Sequence, residues 1–142
     1  MHWDYTVYIG GIRLPVPPEK LKTTEGANTY EYNVIELGDI IIPGTPKLRK
    51  YDLESFFPAD TARFGCSAPA RYVAAFEGIL DRKAPVELLI LRKFPDGTPH
   101  ILTHTAAVLT DFAWSDEFGS NDIPYTMKIT EYRDIPVTIL GG

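Results

Sequence analysis

The sequence predicts a mainly β fold, a β-barrel or sandwich of about seven to nine strands with one flanking α-helix. Turn-forming residues are frequent, with 12 Pro and 11 Gly in 142 residues. The segments between them are rich in Val, Ile, Thr, Tyr and Phe, as is typical of strands. Only residues 68–83 carry the period of an amphipathic helix. The length is that of one domain, so residues 1–142 are expected to fold as a single unit.

The strands of the first half are predicted from two-residue alternation between turn signals. Residues 3–9 alternate, and Gly10–Gly11 ends them. The three prolines that follow exclude a central strand and predict a stiff extended connection. Residues 23–28 are interpreted as a loop, so residues 15–28 form one proline-rich connection. Later strands are expected at residues 29–37, 40–42 and 47–56, with a turn at 43–46.

The helix at residues 68–83 is predicted from one apolar stripe, Tyr72, Val73, Phe76, Ile79 and Leu80. Pro69 suits its first turn. Gly78 costs about 1 kcal/mol relative to Ala in a helix, and its presence predicts a close approach to the sheet.

The second half of the sequence predicts a β-hairpin, followed by two strands that complete the sheet. Residues 86–91 form an apolar run typical of a buried central strand, and the turn residues at 95–98 lead to a partner strand at 101–111. Residues 115–124 are a polar loop. The closing strands are expected at residues 125–131 and 132–140.

Charge and composition exclude several classes of function. The net charge of −5 argues against a nucleic-acid binder and against docking on anionic lipid. The N-terminus lacks the pattern of a signal peptide, and no run approaches the roughly 18 apolar residues of a membrane span. We therefore expect no signal-directed export, and neither nucleic acid nor membrane as a partner.

Chemistry-bearing residues are few and scattered, so no catalytic residue, metal or cofactor is predicted. His100 and His104 lie on a strand, where four residues span roughly 13 Å, too far for one zinc ion. Cys66 has no second Cys or His nearby in sequence and is expected to be a buried small apolar residue. The acids of the second half are interpreted as a solvated loop without a partner: Asp111, Asp116, Glu117 and Asp122.

Three stretches together resemble a known family. They are YIGGIRLPVPPEKLK at residues 8–22, ELGDIIIPGTPKLRKYDLESFFPA at 36–59 and YTMKITEYRDIPV at 125–137. In this order they resemble the N-terminal domain of the LysM-containing tail or baseplate proteins of contractile-tailed phages and phage-like particles, such as tailocins and defective prophages. The LysM module usual in that family is absent from this sequence, so peptidoglycan binding is not assigned to these residues.

The resemblance implies a tail-tube-like β fold in a non-enzymatic structural component at the tube–baseplate junction. It implies other tail proteins as partners, namely tube, hub, baseplate and tape-measure proteins, and a homo-oligomeric ring. It also implies a protein that is made in the cytoplasm of a host bacterium and located in the virion or particle tail. The expected contacts with neighbours lie in the loops 15–28 and 115–124. The candidate interface residues are Pro15, Pro17, Pro18, Glu19, Lys20, Asp116, Glu117, Phe118, Asn121 and Asp122.

The same resemblance makes Phe56 and Phe57 a strand end that turns over the core, with at least one of them buried. Two other functions stay open on the sequence. A carbohydrate- or peptidoglycan-binding β-domain would present coplanar exposed Trp and Tyr side chains in a groove. A hydrolase would hold two carboxylates about 5–9 Å apart in a cleft.

Overall fold

The computed structural model describes residues 5–34, 38–117 and 119–133. These residues contain nine strands and two helices, which confirms the predicted mainly β class. The helices are α1 (Thr61–Phe64) and α2 (Pro69–Arg82). The strands are β1 (Tyr5–Ile9), β2 (Ile12–Arg13), β3 (Lys20–Thr24), β4 (Ala27–Val34), β5 (Gly38–Pro46), β6 (Lys50–Phe57), β7 (Val86–Lys93), β8 (Pro99–Trp114) and β9 (Ile123–Glu131).

Seven strands form one antiparallel sheet in the order β2-β1-β7-β8-β9-β6-β3. The 16-residue strand β8 lies between β7 and β9 in this sheet. Among the described residues, its first half pairs with β7 and its second half with β9, and each of the two ladders contains a register shift.

Strands β1 and β6 are joined by residues 14–19, here called the closing strap. The strap bonds alternately to β1 and β6. The Leu14 N–H donates to the Val7 carbonyl on β1 at 2.9 Å, and the Glu19 N–H donates to the Glu54 carbonyl on β6 at 3.0 Å. In the strand order of the sheet, β1 and β6 are not neighbours and do not pair with each other. Within the described residues they are therefore connected by hydrogen bonds to the strap and not by strand pairing.

The core lies between the sheet and α2. Val73, Phe76 and Ile79 of α2 are buried, as the predicted stripe requires. The apolar cluster they join is supplied by strands β1, β6, β7, β8 and β9. Phe76 and Phe57 are fully buried, with ring centroids 6.0 Å apart. The predicted helix and its packing face are therefore confirmed.

The Phe56–Phe57 pair is a structural corner, as expected. The Phe57 ring stacks on Tyr125, with centroids 4.1 Å apart, and on Tyr72 at 5.2 Å. Phe56 is half-buried and meets Phe64 of α1 edge-on at 6.2 Å. Neither ring is free to serve as an open ligand platform, because both pack on the chain itself.

Several local predictions were wrong. A Cβ placed on Gly78 would meet no atom within 4 Å outside its own helix, so this glycine does not mark a close approach to the sheet. Residues 23–24 belong to β3, and the predicted turn at 43–46 belongs to β5. Both strands lie at edges, where a missing ladder bond is tolerated. Cys66 is half-buried, since it lies in the exposed connection between the helices.

Some predictions fall outside the described residues. Trp3, residues 35–37 and the greater part of the closing strand at 132–140 are among them. Tyr132 and Arg133, which are described, follow β9 without joining a strand. In the part of the chain that the structure describes, no helix is long and apolar enough to cross a membrane.

Candidate assembly surfaces

The two loops predicted as interfaces meet in one cleft. Glu19 at the end of the closing strap and Glu117 in the loop after β8 line the same cavity of about 350 Å³. They meet because β6, beside the strap, pairs with β9, which in turn pairs with the end of β8. We call this cavity the acidic cleft. Its lining is completed by Glu54, Ser55, Ala113, Trp114, Ser115, Pro124, Tyr125 and Thr126.

Trp114 forms the apolar wall of the acidic cleft and is 41% exposed. Its indole N–H donates to the Glu77 carboxylate on α2 at 3.1 Å, which fixes the ring against the helix. The three acids of the lining are Glu19, Glu54 and Glu117, all exposed, and among the described residues no cationic side chain lines the cleft. The site therefore offers an ordered aromatic surface within a negative rim.

Tyr125 is buried at the base of the cleft, and its hydroxyl is protonated at neutral pH. Burial raises the pKa of Tyr125, since the phenolate would lose its hydration there. The neighbouring Ser55 hydroxyl acts in the opposite direction and is the weaker influence. The base of the cleft therefore stays uncharged, and its charge comes from the rim.

The loop after β8 is held in place by its own hydrogen bonds. The Asp122 carboxylate accepts from the Ala59 N–H at 2.7 Å, which ties the loop to the connection between β6 and α1. The Ser115 N–H donates to the Pro124 carbonyl at 3.1 Å. Asp122 is thus an anchor of the loop, while Asp116, Glu117 and Asn121 are exposed.

The remaining candidate interface residues divide by burial. Pro15 and Pro18 are buried in the closing strap and Pro17 is half-buried, whereas Glu19 and Lys20 are exposed. Phe118 lies outside the described residues. Contact of the candidate interface residues with neighbouring proteins stays a prediction. Only the exposed residues among them are accessible to a neighbouring protein.

A second surface, which the sequence analysis missed, is the end of the β7–β8 hairpin at residues 92–102, here called the hairpin tip. Ile101 is 64% exposed, Leu102 52% and Phe94 41%. Arg92 and Lys93 are exposed beside them. The signal for this surface was the pair of adjacent apolar residues at 101–102, which strict alternation cannot bury on one face.

The hairpin tip has a defined backbone. The Phe94 N–H donates to the Thr98 carbonyl at 3.1 Å, and the Gly97 N–H donates to the Phe94 carbonyl at 2.8 Å. The Asp96 carboxylate accepts from the Thr98 N–H at 2.8 Å, and this hydrogen bond lowers the pKa of Asp96. His100 meets the Phe94 ring edge-on at 4.3 Å. The exposed apolar side chains are therefore presented on an ordered turn.

A third surface is the two-stranded ribbon formed by β4 and β5, which pair only with each other among the described residues. The ribbon is attached at its base, where the Lys47 N–H donates to the Gly26 carbonyl at 2.8 Å and Arg133 donates to the Pro46 carbonyl at 3.1 Å. Ile41 on the ribbon is 62% exposed. Because an isolated two-stranded hairpin is marginally stable in water, this ribbon gains from a partner surface.

His100 and His104 contact different side chains and do not form a joint site. His104 bonds to the Glu87 carboxylate at 2.7 Å, while His100 packs on Phe94. Across residues 5–34, 38–117 and 119–133, no group of three or more His, Cys, Asp or Glu side chains is placed to hold a metal ion.

No protein-family model matches the sequence. Among curated proteins, the uncharacterised protein YqbP of Bacillus subtilis (strain 168) is 28% identical over 126 residues. The alignment covers 86% of this chain and 54% of YqbP, so the chain spans about half the length of the curated relative it matches.

Chains with a similar fold occur in solved structures of contractile injection systems and of a gene transfer agent particle. A chain of the sheath/tube terminator of the extracellular contractile injection system PVC has a TM-score of 0.58 and 18% identity, over 92% of this chain and 91% of that one. A chain of the anti-feeding prophage tube-terminating cap has a TM-score of 0.58 and 20% identity, over 92% and 85%. A chain of the native gene transfer agent virion has a TM-score of 0.62 and 10% identity, over 92% of each chain.

At these identities the similarity shows a shared fold. It confirms the expectation of a tail-tube-like β fold. The neighbours are a sheath/tube terminator, a tube-terminating cap and a virion component.

Proposed function

We propose that this protein is a non-enzymatic structural component of a contractile tail or a related phage-like particle, and that it acts by protein–protein assembly at an end of the tail tube. The observation that carries the proposal is the fold match over 92% of the chain to a tube terminator and a tube cap. Its finer form places the protein at the tube–baseplate junction, among the LysM-containing tail proteins.

The surface of the molecule supports an assembly role. The ribbon, the hairpin tip and the acidic cleft each expose apolar side chains beside charged ones: Ile41, Phe94, Ile101, Leu102 and Trp114. Large exposed apolar side chains grouped in patches mark interaction surfaces on a soluble protein. The ribbon also favours contact with another protein, because a two-stranded hairpin gains stability by packing on a neighbour.

The experiment is a deletion and complementation in the bacterium or phage that encodes the protein. We expect deletion to abolish complete tails in electron micrographs and the wild-type gene to restore them. The wild-type protein should co-purify with particles in stoichiometric amounts by mass spectrometry. Normal tails after deletion would overturn the proposal.

A ribbon variant makes the test specific. Replacing residues 28–45 by a short Gly-containing turn removes the outer part of β4 and β5 and leaves the seven-stranded sheet. We expect a melting temperature close to that of the wild type and a loss of complete tails on complementation. A matched control is substitution of exposed Arg71 by Ala on α2, which should leave assembly intact.

A carbohydrate- or peptidoglycan-binding function is the second candidate, since Trp114 is an ordered, exposed aromatic at a cleft. Co-sedimentation of the purified protein with peptidoglycan sacculi tests it. Binding that is lost in Trp114→Ala, together with normal tails after gene deletion, would move this candidate to first place.

A further inference from the structure

The two-stranded ribbon is joined to the seven-stranded sheet by two short connections. The chain passes from β3 to β4 through residues 25–26 and from β5 to β6 through residues 47–49, and we call these two connections the hinge. The ribbon and the sheet share no strand. The angle between them therefore depends on the contacts that fix the hinge.

Among the described residues, the two connections of the hinge are joined to each other by a backbone hydrogen bond and an ion pair. The Lys47 N–H donates to the Gly26 carbonyl at 2.8 Å. The Arg49 Nε lies 2.6 Å from the Glu25 carboxylate, and these side chains are 47% and 62% exposed. An ion pair this exposed contributes little, because water and salt screen it.

The ribbon is tied to the sheet by Arg133, which follows β9. Its guanidinium donates to the Pro46 carbonyl at 3.1 Å and, more weakly, to the Lys47 carbonyl at 3.4 Å. The same guanidinium donates to the Glu131 carboxylate at 2.8 Å. Pro46 is the last residue of β5 and Glu131 the last residue of β9. One side chain therefore bridges the end of the ribbon and the end of a strand inside the sheet.

Glu131 is itself held in place to receive this side chain. Its side chain is 11% exposed, whereas that of Arg133 is 45% exposed. The Glu131 carboxylate also accepts from the Arg49 N–H at 3.4 Å, and the Glu131 N–H donates to the Arg49 carbonyl at 2.8 Å. A carboxylate with so little contact with water attracts a cation more strongly than one on the open surface does. The Arg133–Glu131 pair is therefore a firmer contact than the exposed Glu25–Arg49 pair.

We propose that Arg133 is a positioning residue that holds the ribbon at one angle to the sheet, so that the ribbon meets a neighbouring subunit in the orientation needed for assembly. Arginine suits this role, because its planar guanidinium has five donors and can bond two carbonyls and a carboxylate together. Lysine is a point charge on a flexible stem and cannot hold the same geometry. The inference rests on the proposed function and deepens it, because it names the residue that prepares the ribbon for its partner.

Loss of the bridge would leave the ribbon in a range of orientations. Only the fraction of molecules with the right angle could bind the neighbouring subunit, and the apparent dissociation constant rises as that fraction falls. The length of the ribbon amplifies any rotation, since Asp39 lies roughly 23 Å along β5 from Pro46. A rotation of about 15° at the hinge would move Asp39 by roughly 6 Å.

The first arm of the test measures the angle in the purified protein. Asp39→Cys on the ribbon and Arg71→Cys on α2, both at exposed positions, carry nitroxide spin labels on a Cys66→Ser background. Pulsed electron paramagnetic resonance should give one narrow distance distribution when Arg133 is present. With Arg133→Ala we expect a distribution at least twofold wider.

Two further variants make this result specific. Arg133→Lys keeps the charge and should stay wide, whereas Glu25→Gln breaks the exposed ion pair of the hinge and should stay narrow. All variants should melt close to the labelled parent, because neither position belongs to the buried core. If Arg133→Ala melts early, Arg133→Lys carries the test. An unchanged width without Arg133, or equal broadening in Glu25→Gln, would overturn the inference.

The second arm measures assembly by complementation. Arg133→Ala at the native level of expression should give about one-tenth of the complete tails or fewer. Overexpression should restore them, because mass action compensates for a small competent fraction. Deletion of ribbon residues 28–45 should not be restored by overexpression, since it removes the contact itself. Normal yield from Arg133→Ala at native expression, or a loss that overexpression does not relieve, would refute the positioning role.

Failure of this inference and failure of the proposed function give different results. Complete tails after deletion of the whole gene would refute the proposed function. Absent tails after gene deletion, together with normal tails from Arg133→Ala, would refute the role of Arg133 and leave the tail function standing.

Discussion

The Ser55 hydroxyl on β6 donates a hydrogen bond to the Val16 carbonyl of the closing strap, with 3.2 Å between the two oxygens. On the other side of the strap, the Tyr5 hydroxyl of β1 donates to the Pro18 carbonyl. Residues without regular pairing thus join two strands that do not pair with each other. The strap satisfies buried backbone groups that its prolines prevent from entering a ladder.

Substitution of Ser55 by Ala should destabilise the fold by about 1–3 kcal/mol, because it leaves the buried Val16 carbonyl without its donor. Ser55 is 8% exposed, so water cannot readily replace the hydroxyl. Chemical denaturation measures the difference. Ser67→Ala, at an exposed position, is the control and should change the free energy of unfolding by less than about 0.5 kcal/mol. Equal stability of the two variants would contradict the role of the strap.

Substitution of Phe76 by Asp should unfold the protein or destabilise it by several kcal/mol. The Phe76 side chain is fully buried between Phe57 and Phe112, and a buried unpaired carboxylate is strongly unfavourable. Ala74→Asp on the exposed face of α2 is the matched control and should have a small effect. An unchanged melting temperature of the Phe76 variant would refute the packing of α2.

Substitution of Gly78 by Ala should stabilise the protein by about 1 kcal/mol, because alanine has the higher helix propensity and its Cβ meets open space. Gly10→Ala should have the opposite sign. Gly10 has φ +59°, and its Cβ would lie 3.4 Å from Ile79 Cδ1. We expect a loss of about 1–2 kcal/mol there. Thermal denaturation of both variants gives the comparison, and a destabilised Gly78 variant would contradict the open space seen beside the helix.

Replacement of residues 116–121 by a Gly-Ser linker should leave the fold intact, since the exposed part of the loop is removed while its anchor remains. Extension of the replacement to Asp122 should lose about 0.5–1.5 kcal/mol with the hydrogen bond to the Ala59 N–H. Both variants should lower the yield of complete tails on complementation. Normal yield would show that this loop is not an essential interface.

Protein purified without a tag should contain no stoichiometric zinc and should not cleave peptidoglycan. The reason is the separation of the titratable side chains, with His104 paired to Glu87 and His100 packed on Phe94. Elemental analysis and release of soluble muropeptides are the two measurements. One equivalent of zinc, or cleavage above a heat-inactivated control, would count against a purely structural role.

The local sequence pattern was sufficient to predict most of the helices and strands. The apolar stripe of α2 determined its position and its buried face, because the 3.6-residue period admits one orientation against a core. The alternation in β9 predicted a strand, and the turn residues at 95–98 predicted a hairpin, because both signals lie between residues close in sequence. The strand at residues 47–56 was predicted from imperfect alternation, whereas the burial of β6 alternates regularly. The Phe56–Phe57 corner was also predicted, through the resemblance and not through periodicity.

The local sequence pattern did not predict the exposure of side chains whose burial depends on which strands are neighbours in the sheet. The predicted strand ends at residue 111, and the sequence does not decide whether Trp114 is buried. In the structure β8 continues to Trp114, which is partly exposed and bonds to Glu77 on α2. Ile101 and Leu102 were read simply as strand residues. Their exposure follows from their place at the end of the β7–β8 hairpin, where no other element of the described residues covers them.

By itself the sequence determined the mainly β class, the one long helix with its packing face, and the two loops where contacts with neighbours are expected. These properties depend on residues close together in the chain. The tertiary structure alone decided that the proline-rich segment is a buried strap, that Glu19 and Glu117 share one cleft, and that the apolar side chains of the hairpin tip are exposed. Such relationships depend on strand order, which arises from contacts between residues far apart in sequence that no local pattern records.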